Sequence, residues 1–293
     1  MTTTMPMTML RGGTRLTLAA RRVFCAAALV IATPAAATRL AAQETLTARI
    51  AAVKAGSVQF EYPSRDNACG DGHSYIRVGT SIMGSYNSAS DMSNCAPGPV
   101  RIVLDVAGGR VTSLRDYLGP VPPLQAGVAE LGAVSADEGS KYLLSLVESD
   151  DQGRVANRAV LPAMLGRDVV AWPTLLRIAR ASDATRRGSR KHDVIFWLGQ
   201  YAAAKVNGSD DPFYPRSSRD DENDEESVKE QAVFALSQLR NGEGVEPLIE
   251  AARSNKDQRV RARAMFWLGE SGDPRALDLF EQVLTGRAPS PRG

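Results

Sequence analysis

The 293-residue chain predicts a mainly α protein: an α-solenoid of about four helix pairs preceded by a small β-rich module. Three observations carry that reading. The C-terminal half repeats one segment, since Val194-Ile-Phe-Trp-Leu-Gly-Gln200 and Ala232-Val-Phe-Ala-Leu-Ser-Gln238 align with Ala264-Met-Phe-Trp-Leu-Gly-Glu270, with a weaker copy in Ala159-Val-Leu-Pro-Ala-Met164. With Leu161, Phe196, Phe234 and Phe266 as anchors, the spacings are 35, 38 and 32 residues, a period that marks stacked helical repeats. In the best copy, Val260, Ala264 and Leu268 fall at i, i+4 and i+8 beside Phe266 and Trp267, giving one apolar helix face. Upstream the period changes to two: Val58, Phe60 and Tyr62 alternate with polar residues, and Val100, Ile102, Leu104 and Val106 repeat the spacing.

Residues 1–42 have the layout of a secretory signal peptide. A basic segment ending in Arg21-Arg22 precedes an apolar run from Val23 to Thr33, and Ala35-Ala36-Ala37 and Leu40-Ala41-Ala42 offer small-residue cleavage sites. The run is too short to cross a bilayer as a helix. Arg21-Arg22-Val23-Phe24 is similar to a twin-arginine export signal, without its polar residue before the pair or its Leu after the Phe. Cys25 starts the apolar run rather than ending it, so it leaves with the leader. The chain is expected to be exported, to the periplasm or the extracellular space.

Residues 43–118 form the β-rich module, with a short helix over 46–54 and a hairpin at Gly108-Gly109. Cys69 and Cys95 are the two cysteines left after the leader, and an even count in an exported chain favours a disulfide. That bond would staple a Gly-, Ser- and Asn-rich loop and contribute about 3 kcal/mol in the chain-entropy model. Free thiols are one competing reading. A metal site with His73 as a third ligand is another, although no fourth ligand has recognisable spacing.

Gly119, Pro120, Pro122 and Pro123 mark a linker over 119–134. Ser135-Ala-Asp-Glu138 has the form of a capping box opening the helix Gly139 to Glu148; the repeat domain runs over 135–286 and a short disordered tail over 287–293. Gly272 reads as a helix stop and Pro274 as a first-turn residue of the next helix. An acidic insertion, Asn207 to Ser227, carries eight carboxylates. Their spacing does not match an EF-hand, and the insertion reads as a loop whose acidic end suits the N-terminus of the helix beginning near Val228; Ca²⁺ binding is the competing reading.

The repeated residues resemble HEAT-like repeats of the phycobilisome-lyase type, whose pattern is roughly D-x-x-V-R-x-x-A-x-x-x-L-G-x-x-G-D-x-x-A. Asp257, Val260, Arg261, Ala264, Leu268, Gly269, Gly272, Asp273 and Ala276 fit it. Around Phe196, Arg190 keeps the Arg while Asp193 replaces the Ala, and around Phe234 the Arg position is Lys229. The resemblance covers Gly139 to Leu284. It implies a curved stack of helix pairs used for protein contacts, with the second helices lining the concave side. There, Leu175 to Arg180 aligns with Leu248 to Arg253, and Arg177, Arg180, Glu250 and Arg253 fall opposite the apolar positions. These four are the partner-binding candidates, against the plainer reading of a solvated helix face. Trp172, Trp197 and Trp267, set beside Phe and Leu, read as core rather than as a recognition stripe. HEAT-like proteins also include lyases that attach a pigment to a Cys of another protein; no residue of this chain supplies that chemistry.

The formal charge of +2 comes from the leader: without its five Arg, 30 Lys and Arg face 33 Asp and Glu, a net charge of −3. A mildly acidic body gives no basis for binding nucleic acid. His73 and His192 are the two histidines, and neither has a Ser, Cys or Asp at the spacing of a triad; Asp193 adjoins His192 and points elsewhere on a helix. No Walker loop, GxGxxG or HExxH occurs. No second long apolar stretch follows the leader, so the mature chain is expected without a membrane span. The expected function is a non-catalytic exported scaffold for protein–protein interaction in the cell envelope, without cofactor or metal. The alternative is an envelope enzyme or metal-dependent factor with its site in the Cys69 to Cys95 loop.

Export and pairing are checked together. In the exported protein, Cys69 and Cys95 are expected to resist alkylation until reduced, so two alkylatable thiols in the native protein by mass spectrometry would contradict the reading.

Overall fold

The computed structural model describes residues 44–79, 81–84, 95–149, 153–181, 189–213 and 224–287. The leader expected over 1–42, residues 214–223 of the acidic insertion, and the tail beyond Arg287 lie outside the described residues. The Arg190 side chain, part of the repeat resemblance, does too.

A short helix α1 (Leu46–Ala52) opens at Thr45, whose hydroxyl accepts from the Ala48 N–H. Among the described residues, seven strands follow: β1 (Ala55–Tyr62), β2 (Ala68–Gly70), β3 (Tyr75–Val78), β4 (Ser81–Gly84), β5 (Val100–Ala107), β6 (Arg110–Leu118) and β7 (Val128–Ala133). They form a four-stranded sheet in the order β6-β5-β1-β7 and a three-stranded sheet in the order β2-β3-β4. In the larger sheet β1 and β5 pair antiparallel with Val58 opposite Leu104 and Phe60 opposite Ile102, which places the alternating apolar residues on one buried face. Gly108 and Gly109 join β5 to β6 with φ of 60° and 74°; a two-residue turn whose twist suits the hairpin needs both residues left-handed, and glycine takes that conformation without strain.

The expected linker over 119–134 is corrected by the structure. Its second half is β7, which pairs parallel with β1, Ser57 opposite Val128. The β-rich module therefore closes at Ala133 rather than at Leu118. Nor does it have a core of its own: Val58, Phe60 and Tyr62 join the same buried apolar cluster as the helices that follow.

Those helices are α2 (Ala136–Glu148), α3 (Gly153–Met164), α4 (Trp172–Ala181), α5 (Ser189–Val206), α6 (Asp224–Ser237), α7 (Val245–Ser254), α8 (Gln258–Ser271) and α9 (Leu277–Thr285). The Ser135 cap is where the sequence places it, its hydroxyl accepting from the Glu138 N–H at 3.1 Å, and α2 begins directly after it at Ala136, ahead of the expected Gly139. The reciprocal half of the capping box is diverted. Glu138 accepts instead from the first N–H of α1, at Leu46, at 2.6 Å, so one carboxylate ties the two helices together. Gly139 lets α2 approach the sheet, since a Cβ there would fall 2.6 Å from the Tyr62 ring. The Tyr62 hydroxyl, buried, donates to the Pro162 carbonyl of α3 at 2.6 Å.

The repeat pattern has a local explanation in α8. Asp257 caps it by accepting from the Arg259 N–H at 2.9 Å, and Gly272 ends it at φ 62°. Arg261 donates to the carbonyls of Asn255 and Lys256 at 2.8 and 3.1 Å, satisfying backbone oxygens where α7 ends. Asp273 accepts from the Arg275 N–H, and Arg275 reaches back to the Gly242 carbonyl at 2.9 Å. Val260, Ala264, Leu268 and Ala276 are buried.

Helices α5 and α8, equivalent by the repeat alignment, pack directly on each other. Their closest approach is at Gly199 and Gly269: a Cβ on Gly199 would lie 2.5 Å from the Gly269 Cα. His192, near the start of α5, meets Glu270 and Gly272 at the end of α8, while Gln200 to Asn207 face Phe266 to Arg259. The two helices therefore run antiparallel. Equivalent residues meet at the centre, Gly199 on Gly269 and Phe196 on Phe266 with ring centroids 6.5 Å apart, as in an approximate twofold relation.

The flanking helices obey the same relation. α4 packs on α5 as α7 packs on α8; α6 crosses to α8 and α7, and α9 crosses to α5 and α4. This differs from the regular stack expected, in which successive repeats are related by a small rotation and equivalent helices run in the same sense. It also corrects one anchor. Phe234 is 46% exposed and Val233 4%, because α6 leans on α8 from the side and Phe234 meets it at the periphery, its ring tilted against that of Trp267 with centroids 5.1 Å apart.

Two substitutions test the crossing. Ala at position 199 would favour the helix by about 1 kcal/mol, but its Cβ has backbone in the way, and overpacking against an unyielding neighbour costs about 3 kcal/mol. Gly199→Ala is therefore expected to destabilise by about 2 kcal/mol, and Phe266→Ala, which removes a buried ring, by about 3–5 kcal/mol. A melting midpoint for Gly199→Ala at or above the parent's would contradict the contact.

Candidate interaction surface

Helices α4 and α7 carry the four predicted partner-binding residues. On α4, Leu175, Leu176, Ile178 and Ala179 are buried and Arg177 and Arg180 are exposed. On α7, Leu248, Ile249 and Ala252 are buried, Glu250 is exposed and Arg253 is half-buried. The apolar periodicity thus orients both helices as the sequence predicts.

The charged side chains have intramolecular neighbours that the sequence did not reveal. Arg177 pairs with Glu148 at the end of α2. Arg180 bridges α4 to α9, reaching Asp278 at 3.0 Å and Glu281 at 2.5 Å. Glu250 accepts from the Ser254 hydroxyl at 2.8 Å on its own helix. Exposed pairs of this kind contribute about 0–1 kcal/mol each, so a competing partner carboxylate could displace them at small cost. Helix α4 has α2, α5 and α9 as neighbours, while α7 has α6 and α8; each candidate pair therefore sits in its own surroundings.

In the β-rich part, Cys69 and Cys95 are joined in a disulfide with their Cα atoms 5.2 Å apart. The bond consumes both thiolates of the three-ligand set considered with His73, and zinc binds the thiolate rather than the disulfide. Among the described residues, no cluster of three or more His, Cys, Asp or Glu is placed to hold a metal ion. The turn that follows Cys69 is built around Asp71. Its carboxylate accepts from the backbone N–H groups of His73, Ser74 and Tyr75 and from the Ser74 hydroxyl. Partial burial opposes ionisation there, but the Ser74 hydroxyl and the three N–H groups outweigh it and hold the carboxyl well below the usual range. Arg101, buried in β5, fastens this loop to the sheet by donating to the Gly72 carbonyl at 2.8 Å, with its guanidinium 4.4 Å from the Tyr117 ring centroid.

His192 and Asp193 do not form a catalytic pair in this geometry. The imidazole Nδ1 stands 3.9 Å from the Asp193 carboxylate, while Nε2 lies 2.9 Å from the Glu270 carbonyl in the α5–α8 crossing. Burial raises the pKa of Asp193, with His192 opposing. Asp116 is also raised, again chiefly by burial. The three Trp are half-buried and packed on the core. Two of them belong to a run of rings, Phe213, Trp197, Phe196, Phe266, Trp267 and Phe234, whose neighbouring centroids are 5.0 to 6.5 Å apart.

One concave feature escaped the sequence reading: a partly open cleft, with a cavity volume of about 50 Å³, between α5, α8 and α6, lined by residues including Gln200, Ala203, Asn207, Glu230, Arg259 and Phe266. Alanines at helical spacing look like ordinary core, so no sequence signal marked it. Its lining becomes adjacent only through the antiparallel crossing.

A family model for HEAT repeats matches residues 219–292, the region of α6 to α9. These helices are similar to HEAT repeats. No curated protein and no solved structure matches the chain. No helix among the described residues is long and apolar enough to cross a membrane.

Proposed function

We propose that the protein is an exported, non-catalytic scaffold of the cell envelope whose HEAT-like repeats, of the phycobilisome-lyase pattern, bind protein partners along α4 and α7. The observation that carries the proposal is the HEAT-repeat match over 219–292, because such repeats are commonly used as protein-interaction scaffolds. The charged outer faces of α4 and α7 supply the specificity, with Arg177, Arg180, Glu250 and Arg253 as contacts. The arrangement of residues 1–42 supports export, and the Cys69–Cys95 disulfide suits an oxidising compartment.

The test is partner capture from envelope extract by the mature chain. Arg253→Glu combined with Arg180→Glu is expected to reduce capture at least about fivefold, and capture by the parent should weaken as salt rises. Because Arg180 also bridges to α9, Arg253→Glu alone serves as the control for changes in the fold, with the melting midpoint checked for both. Equal capture of the same partners by a folded double variant would show that this surface is not the site.

A further inference from the structure

We propose that the cavity at the end of β1 binds an aromatic ring that carries an ammonium group, a reading independent of the partner surface on α4 and α7. The cavity follows from the local sequence. The β1–β5 ladder ends with Tyr62 opposite Val100, and the next pair in register is Pro63 with Pro99. Neither proline has an N–H to give, so the ladder stops there. The buried Ser64 hydroxyl instead donates to the Gly98 carbonyl at 2.7 Å. On the other side the Arg65 N–H donates to the Leu165 carbonyl at 2.9 Å, and the Arg167 N–H to the Pro63 carbonyl at 3.0 Å. The Cys69–Cys95 disulfide and the paired backbone hydrogen bonds of Gly70 and Ala96 hold the start of Pro97-Gly98-Pro99. These segments line a solvent-open cavity of about 370 Å³, against about 50 Å³ for the cleft of α5 and α8. Small-molecule sites begin at about 300 Å³.

The lining defines the ligand. Pro63, Pro97 and Pro99 contribute saturated rings, the surfaces that pack on aromatic faces wherever proline segments are recognised. Arg167, its side chain 55% exposed, adds a guanidinium able to stack on such a ring. Charge decides the polar group. Arg65 is paired with Asp211 at 2.8 Å and Arg167 with Asp66 at 3.1 Å. The carboxylate of Glu61, which also lines the cavity, has no hydrogen bond or ion pair among the described residues. Arg101, opposite it on β5, attracts it but is shared with Glu130 and donates to the Gly72 carbonyl. Three cations, Arg65, Arg101 and Arg167, thus stand against four carboxylates, Glu61, Asp66, Glu130 and Asp211, which leaves one negative charge in excess. Among the described residues no cluster of three or more His, Cys, Asp or Glu is placed to hold a metal ion, so the complement is an organic cation. Proline walls beside one unbalanced carboxylate suit an aromatic ammonium, whose charged N–H groups make strong hydrogen bonds to a carboxylate.

The experiment titrates the full chain with 2-phenylethylamine, and with 2-phenylethanol as its uncharged counterpart, by calorimetry and saturation-transfer NMR. Saturable binding is expected, at least about tenfold tighter for the amine. Glu61→Gln should remove that preference while leaving the alcohol unaffected. Ala133→Trp, which fills the cavity from an exposed position at the end of β7, should weaken both ligands at least about tenfold at an unchanged melting midpoint. Phenylalanylglycine amide, an aromatic ammonium at a chain terminus, names the source: binding tighter than the amine's indicates a partner's amino terminus, weaker binding a free amine, and either supports the site. Absence of saturable binding, equal affinity of the parent for amine and alcohol, or parental affinity for the amine in folded Ala133→Trp or Glu61→Gln overturns the proposal. Should Ala133→Trp not fold, Pro97→Ala replaces it: weaker binding supports the site, and unchanged affinity overturns it.

Discussion

The contact of Gly199 with Gly269 is the constraint on which the helical part of the protein depends. Two backbones without side chains between them come close enough for the flanking residues to interlock, and the Phe196 and Phe266 rings meet edge to face beside them. Because equivalent residues touch, the crossing has an approximate twofold character. That symmetry sends α6 across to α8 and α9 across to α5. Arg180 then bridges α4 to α9 through Asp278 and Glu281, while Arg263 joins α8 to α6 through Glu230. A side chain at either glycine would push the helices apart and disturb every one of these contacts.

Much of the local structure was legible in the chain because it depends on neighbours in sequence. Ser135 and Asp257 cap helices, Gly272 ends one, and Gly108-Gly109 turns a hairpin, each through backbone groups within a few residues. The apolar faces of α4 and α7 were equally readable from their period. What the pattern could not supply was the sense in which two such faces meet. A stripe of Val260, Ala264 and Leu268 states which side of α8 is buried and is indifferent to the direction of the helix that covers it. Phe234 was misplaced for that reason, its aligned partner Phe266 being buried and Phe234 lying at the edge. The strand Val128–Ala133 was missed for another. It lies at the edge of its sheet with little buried surface, so it has no apolar alternation to announce it.

For the candidate surface, the sequence set Arg177, Arg180, Glu250 and the half-buried Arg253 apart from the apolar faces but did not give the neighbours of the first two, Glu148 and Asp278. The cleft was invisible for the same reason. Ala203 and Ala262 are unremarkable separately, and only the antiparallel crossing makes them walls of one space. The β-rich part gives a contrasting lesson: Cys69 and Cys95 were paired from their even number in a chain expected to be exported, and the turn that follows Cys69 is held by the Asp71 carboxylate and by Arg101 beneath it. Sheet and helices share one apolar core, so the surfaces offered to partners are held by a single body rather than by modules on a linker.

The direction of the crossing is measured most directly by pulsed electron spin resonance between labels at Asn207→Cys and Arg259→Cys, with the native disulfide intact. Both residues line the same cleft, so the antiparallel arrangement predicts a separation of about 20 Å or less, label length included. In a stack with equivalent helices running the same way, the two positions would lie near opposite ends, and a helix the length of α5 spans about 27 Å. A distance distribution centred at about 30 Å or beyond would contradict the twofold crossing and everything derived from it.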